Sequence, residues 1–325
     1  MKSNANNLLS TDSHLLCVTQ PEALPYLRQI THVYTDLDST MLAPGGKLLT
    51  RHDGTPSYAL AEALIELKNA GIEIIIVTGR NGAQGDEFLR LLDLGTFIGE
   101  VGCMVQEGFG VDKKLLYELG DWTDTILVDG LGPGELPDGI TPYQLMQNSG
   151  VIDRLTDAFF GKLELHTPYP TERTVTYALR GLVDADKVES FLDKEALPLE
   201  LADNGEIHPQ KHTLIDCPEI HIYHLVPRGT SKALAVKADI KRRGLTCGQT
   251  LAIGDAKGDV EMGDHAGALV VMGNALHSKT VQEALENRIE RAHNEGWDAT
   301  TLFTSGFTSD GWVEFAHALL LAQKT

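Results

Sequence analysis

His32-Val33-Tyr34-Thr35-Asp36-Leu37-Asp38-Ser39-Thr40 is a short strand-like run that ends in two carboxylates one residue apart. Downstream, Thr55-Pro56 predicts a helix start, with an N-cap and then proline at the first helical position. Ala59, Leu60, Ala63, Leu64 and Leu67 fall on one face of that helix, and Gly71 closes it. Ile72–Val77 is rich in β-branched residues and suits a strand buried on both faces. The order β-α-β implies parallel strands joined by a right-handed crossover. The same grammar returns near the C-terminus. Thr230-Ser231 caps a helix running to Arg243, Thr250–Gly254 and Ala268–Met272 read as strands, and Gly311–Ala322 reads as an amphipathic helix.

The middle of the chain is different. Asp129–Pro142 is dense in Gly and Pro and reads as loop. Thr174–Leu179 and Glu219–Leu225 alternate like half-exposed strands, while Val151–Phe160 and Ala185–Leu192 look helical. The expectation is an α/β protein. A Rossmann-like parallel-sheet core, residues 1–119 and 218–325, receives an inserted α+β domain over 120–217.

A chain of 325 residues with 42% hydrophobic content has ample core for two domains. Its formal charge of -19 argues against nucleic acid and anionic membrane surfaces as partners. Four cysteines, at 17, 103, 217 and 247, share no CxxC spacing, so a disulfide scaffold or four-cysteine zinc site is not expected. Met1–Leu9 is polar and lacks the pattern of a secretory leader, and Asn4–Ser13 reads as a flexible lead. No apolar run approaches the ~20 residues of a membrane span. These features together predict a soluble, cytoplasmic protein.

Four stretches carry chemistry. Asp36 and Asp38 follow a strand, where open parallel sheets bind ligands. Two anions so close need a cation or a shared proton, although a lone DxD is also an ordinary turn. Thr78-Gly79-Arg80 follows the second strand, and its hydroxyl and backbone amides suit a phosphate oxygen. Lys232 opens a helix, where a cation opposes the dipole and a bound anion would justify it. Gly254-Asp255-Ala256-Lys257-Gly258-Asp259 places two more carboxylates on a glycine-flexed loop, suited to a hard divalent cation. Each stretch alone has a plain structural reading, as a turn or a solvated lysine. Together they supply a carboxylate pair, a hydroxyl, a cation and a second acidic pair, in that order.

That set resembles the haloacid dehalogenase-like hydrolase superfamily, with its DxDxT, Ser/Thr, Lys and GDxxxD motifs. Gly99–Gly102 sits where the Cof-like, sugar-phosphate phosphatase branch carries ENG, and Met272-Gly273-Asn274-Ala275 matches its downstream signature. Three positions depart from the pattern: Gly258 replaces an Asn, Val101 replaces the Asn of ENG, and Asn81 stands where Pro is common. The resemblance implies that Asp36 attacks phosphorus and that Asp38 acts as acid and then base. It further implies that Thr78, Gly79, Arg80 and Lys232 hold phosphoryl oxygens. Mg²⁺ would be bound by Asp36, the main-chain carbonyl of Asp38, Asp255 and Asp259. The expected activity is hydrolysis of a small phosphorylated metabolite, a sugar phosphate by family likeness. A phosphomutase or phosphotransferase using the same aspartyl-phosphate, and a non-catalytic phosphometabolite sensor, are the alternatives.

The inserted segment is expected to act as a cap that sets specificity. Its His166–Arg173 stretch offers Arg173 as a contact for a second anionic group of the substrate, against the plain alternative of a solvated arginine. Cys217, His221 and His224 mimic zinc spacing, but a strand would turn His224 away from the other two, so structural or substrate-lining roles are expected. Trp312, Phe315 and Leu319 read as core packing.

Overall fold

The computed structural model describes residues 14–125, 139–167, 173–207, 209 and 211–325. Asn4–Ser13, most of Asp129–Pro142 and the centre of His166–Arg173 lie outside the described residues. The chain forms two compact units, Met1–Thr78 with Lys232–Thr325, and Gly79–Ser231.

The first unit opens with β1 (Leu15–Cys17), α1 (Leu24–Leu27), β2 (His32–Thr35), α2 (Ala59–Asn69) and β3 (Glu73–Val77). The second unit carries α3 (Gly82–Leu92), a meander of β4 (Thr96–Gly99), β5 (Met104–Glu107) and β6 (Lys114–Tyr117), and then α4 (Trp122–Thr125). It continues through α5 (Pro142–Ser149), α6 (Val151–Ala158), β7 (Leu163–Leu165), β8 (Tyr177–Gly181), α7 (Ala185–Leu192), β9 (Leu199–Ile207) and β10 (Ile220–Pro227). The first unit resumes with α8 (Lys232–Arg243), β11 (Thr250–Gly254), α9 (Lys257–Met262), β12 (Ala268–Val271), α10 (Lys279–Glu295), β13 (Thr301–Phe303) and α11 (Thr308–Ala322). Among the described residues, no helix is long and apolar enough to cross a membrane.

In the first unit the strands run in the order β1-β13-β12-β11-β2-β3, and every pairing among them is parallel. From β2 the chain steps to β3 on one side; from β11 it steps to β12 and β13 on the other. The direction of winding therefore reverses between β2 and β11, and their carboxyl ends frame the crevice where such sheets bind ligands. The inner strands β3, β11 and β12 are mainly apolar and buried, as a sheet covered on both faces requires. The second unit contains the antiparallel meander and an antiparallel sheet of order β7-β8-β10-β9. Its core gathers Trp122, Met146, Leu155, Tyr177, Leu179 and Leu225, among others. The whole is an α/β fold.

Two expectations shift. The helix expected from Pro56 begins at Ala59, because Thr50 bridges Pro56 and the Ser57 N–H donates to the Leu49 carbonyl at 3.1 Å. The Ser57 hydroxyl then receives the first helical N–H, from Ala59, at 3.2 Å. The strand expected over Thr174–Leu179 runs over Tyr177–Gly181 and is buried throughout. Tyr177 stacks on Tyr143 at 3.9 Å between centroids, and Arg180 is covered by its 2.6 Å bond to Glu164.

Candidate active site

Asp36 continues the β2 ladder by one residue, its N–H donating to the Ile253 carbonyl of β11 at 3.0 Å. This aims a nearly buried carboxylate out of the carboxyl end of the sheet. Beyond it the chain turns through Ser39 at φ 64, a left-handed conformation that leaves Asp38 and Ser39 exposed and buries Thr40. Asp255 occupies the matching place after β11. Its N–H and that of Ala256 donate to Asp259 Oδ2 at 3.1 and 3.0 Å. Asp259 thus reaches back from the third position of α9 to the helix's orphan amides. Gly254 is required here, since a Cβ would fall 2.2 Å from Asp259 Cβ and 2.3 Å from its Cγ.

Lys232 joins the two loops. Its Nζ donates to Asp36 Oδ1 at 2.8 Å and to Asp259 Oδ1 at 2.9 Å, with the side chain 5% exposed. The cation at a helix start, awkward for the dipole alone, is held by two carboxylates. Thr40 donates to Asp255 Oδ1 at 2.7 Å. Asn274 Nδ2 donates to the Ser39 carbonyl at 3.1 Å and to Asp255 Oδ2 at 3.4 Å, while its Oδ1 accepts the Thr308 N–H at 3.0 Å. One amide thus clamps two left-handed residues, since Thr308 sits at φ 46. Trp312, buried as expected, also donates from Nε1 to the Thr35 hydroxyl at 3.0 Å; that hydroxyl donates to the Asp36 carbonyl at 2.8 Å. Thr78, buried, ends the first unit immediately after β3, the strand beside β2.

The electrostatics show a shortage of positive charge. Burial pushes Asp36 up most; Lys232 opposes this, and the charges of Asp259 and Asp38 push further, leaving its pKa at about 7. Burial and then the charges of Asp36 and Asp259 hold Asp255 well above its ordinary 3.8. Burial works against the Lys232 ammonium, yet the carboxylates of Asp259 and Asp36 outweigh it and keep its pKa above 10.5. Oxygens of Asp36, Asp255 and Asp259 lie within 4.8 Å of one another, the one convergent group of potential metal ligands among the described residues. Three carboxylates sharing one ammonium fit a further cation, and all-oxygen donors suit a hard, small one.

The chain matches the family model of haloacid dehalogenase-like hydrolases over residues 33–118 and 182–296. It belongs to that family. It is a phosphoric monoester hydrolase of the haloacid dehalogenase-like type. A phosphoglycolate phosphatase of Methanoculleus marisnigri is 24% identical over 243 residues, covering 74% of this chain and 83% of the relative. Among solved structures, a haloacid dehalogenase-like hydrolase from Bacteroides thetaiotaomicron superposes with a TM-score of 0.52 at 18% identity, covering 89% of this chain and 98% of the other. The sucrose-phosphatase of Synechocystis, solved with sucrose and phosphate, gives 0.51 at 14% identity over 90% and 98%. At these identities the structural likeness concerns the fold.

Gly79, Arg80 and Arg173 belong to the second unit. The Arg80 guanidinium lies 5.0 Å over the Phe88 ring. Asn81, in place of the family's Pro, caps α3: its side chain accepts the Gln84 N–H at 3.0 Å, and Gln84 Oε1 accepts the Asn81 N–H at 3.2 Å. Val101, in place of Asn, sits at φ 55, where Asn is far better tolerated than a β-branched residue. Gly258, also in place of Asn, has open space where a side chain would stand. Arg173 is buried, with Nε bonded to the Thr176 hydroxyl at 2.9 Å and Nη2 to the Gly79 carbonyl at 2.7 Å. Among the described residues, Cys217, His221 and His224 are not in a convergent group of potential metal ligands. His221 pairs with Asp203 at 2.8 Å, and His224 Nδ1 lies 3.1 Å from Arg173 Nη2. Thr40 and Asn274 are supporting residues to which the sequence reading gives no part in the site, and Trp312 reads there only as core packing. Their signals were present in the DLDST run, in the MGNA signature and in an indole N–H that burial obliges to find an acceptor.

Proposed function

We propose that this hydrolase is a Mg²⁺-dependent phosphatase of a small phosphorylated metabolite, working through a phosphorylated Asp36. The observation that carries the proposal is Lys232 bridging Asp36 and Asp259 beside Asp255. In the first half-reaction an Asp36 oxygen bonds to phosphorus as the bond to the ester oxygen breaks, and Asp38 protonates the departing oxygen. In the second, Asp38 takes a proton from water, the water oxygen attacks phosphorus, and Asp36 and inorganic phosphate are released. Lys232 and Thr78 hold the phosphoryl oxygens, so that developing charge meets donors already in place. Lys232 also opposes the pull of burial on the Asp36 carboxylate. Mg²⁺, held by Asp36, the Asp38 carbonyl, Asp255 and Asp259, would neutralise charge on the transferring group.

A sugar phosphate is the proposed substrate class. Phosphoglycolate is the second reading, favoured by the Methanoculleus relative that spans most of the chain. Phosphate release from a panel holding both classes separates them. Asp36→Asn keeps the shape of the side chain and removes the nucleophile. It should abolish Mg²⁺-dependent hydrolysis of p-nitrophenyl phosphate, and wild-type turnover in that variant would overturn the mechanism. Isomerised sugar phosphate in place of free phosphate would instead show a mutase.

A further inference from the structure

Glu100 is fully buried, a costly place for a carboxylate unless its oxygens are thoroughly hydrogen-bonded. Here they are. Oε1 accepts the Thr174 N–H at 2.8 Å and the Thr174 hydroxyl at 3.1 Å. Oε2 accepts the N–H groups of Val175 at 3.1 Å and Thr176 at 2.7 Å, and the Thr176 hydroxyl at 3.0 Å. The Thr176 hydroxyl in turn accepts Arg173 Nε at 2.9 Å, and Arg173 Nη2 donates to the Gly79 carbonyl at 2.7 Å. The main-chain N–H of Glu100 donates to the Arg80 carbonyl at 2.8 Å.

Both carbonyls that follow Thr78 in the chain are therefore claimed by one residue: Arg80's directly, and Gly79's through Thr176 and Arg173. The peptide unit is planar and trans, so fixing the Gly79 carbonyl turns the Arg80 N–H to the opposite side. A second layer closes on the same glycine, since a Cβ there would lie 2.9 Å from both Asn204 Nδ2 and His224 Nε2. The arrangement tolerates strain: Glu100 and Val101 sit at φ 52 and 55, conformations that persist only where the surroundings over-determine them.

We propose that Glu100, Thr176 and Arg173 form a hydrogen-bonded relay that fixes the Gly79-Arg80 segment, the part of the Thr78-Gly79-Arg80 motif that lies in the second unit, making Arg173 a positioning residue that acts through Gly79. The inference deepens, and rests on, the phosphatase reading of the same chain. No proton moves along the relay; it holds a backbone conformation. Arg173 has the geometry for this because two nitrogens of one rigid fork meet the Thr176 hydroxyl and the Gly79 carbonyl, where a lysine offers a single nitrogen on a flexible stem.

Thr176→Val is nearly isosteric and removes only the shared hydroxyl, Thr176→Ser restores it, and Arg173→Lys keeps the charge but loses the fork. The probe substrate is p-nitrophenyl phosphate, which carries no second anionic group for an arginine to bind. Thr176→Val and Arg173→Lys should each lower kcat by about ten-fold or more with KM held within about three-fold, as for a misplaced catalytic loop. Thr176→Ser should stay near wild type. In protein without substrate, amide hydrogen exchange across residues 78–84 should quicken in the same two variants. Unchanged kcat in both, with or without a change in exchange, would overturn the proposal; a substrate-contacting Arg173 would give that result and lose affinity only for doubly charged substrates. A wild-type protein that hydrolyses no phosphomonoester with Mg²⁺ would sink the phosphatase reading, while the exchange measurement would still test the relay by itself.

Discussion

Asp259→Asn removes one charge and one acceptor from a carboxylate whose two oxygens are both committed. Oδ1 takes the Lys232 ammonium and Oδ2 takes the amides of Asp255 and Ala256. An asparagine has a single acceptor oxygen. Turned toward the amides, it aims an NH₂ at the ammonium; turned toward Lys232, it aims the NH₂ at two N–H groups. A buried donor left without an acceptor costs about 1–3 kcal/mol. Losing one partner of a buried ion pair costs about 3–5 kcal/mol when no other charge remains, and the low end applies because Asp36 still holds Lys232. Against this, the Asp259 charge helps to raise Asp36 and Asp255, and its removal relieves that repulsion. The net expectation is a loss of about 2–3 kcal/mol, hence a Tm lower by roughly 3–5 °C for a protein of this size. Thermal melting by circular dichroism at pH 8 without divalent cations measures it. Calorimetric titration with Mg²⁺ should show at least about ten-fold weaker binding, since a charged ligand becomes neutral. A Tm within about 1 °C of wild type, together with unchanged Mg²⁺ affinity, would refute the assigned role of this carboxylate.

Gly254→Ala should displace Asp259 outright, because the new Cβ would overlap its Cβ and Cγ; loss of both Mg²⁺ binding and turnover in a folded protein is the expected result. Asn274→Ala frees the Ser39 carbonyl and the Thr308 N–H and removes a donor to Asp255, so Mg²⁺ affinity and Tm should both fall; an unchanged Mg²⁺ titration would exclude a role in holding Asp255. The raised pKa of Asp36 has a definite sign. Its contribution to metal-free stability is fully present below the ordinary value of 3.8 and is lost as pH rises through about 7. The stability of wild type relative to Asp36→Asn should therefore decline between about pH 4 and 7 in denaturant titrations, and a difference that grows with pH would contradict it.

The first unit was largely readable in advance because its site lies at strand ends, where apolar runs stop abruptly at carboxylates. Asp36, Asp255 and Asp259 announced themselves by that position, and Lys232 by its oddity at a helix start. Spacing gave no hint of the contacts between loops: Thr40 and Asn274 meet Asp255 because the segments that carry them leave β2 and β12, which flank β11 in one sheet. The second unit was less readable. β4 to β6 and β9 were not anticipated, since short antiparallel strands carry a weak period and depend on partners distant in sequence. Arg173 shows the limit well. A lone arginine after an irregular stretch looks solvated, and its burial follows from Glu100, which lies 75 residues or so away across an unrelated turn.

The first unit is interrupted in sequence, and this bears on how the molecule is made. Lys232 lies 196 residues beyond Asp36, so a ribosome working at about 5–20 residues per second exposes Asp36 roughly 10–40 s before its ammonium partner exists. β1 waits longer still, because its ladder partner is β13. Gly79–Ser231, by contrast, is one uninterrupted length of chain. Vectorial synthesis thus delivers the inserted unit whole while the carboxylate–lysine cluster is still in pieces. A nascent chain arrested before Lys232 should be catalytically silent, and the emergence of α8 and α9 should mark the earliest moment at which the enzyme can switch on.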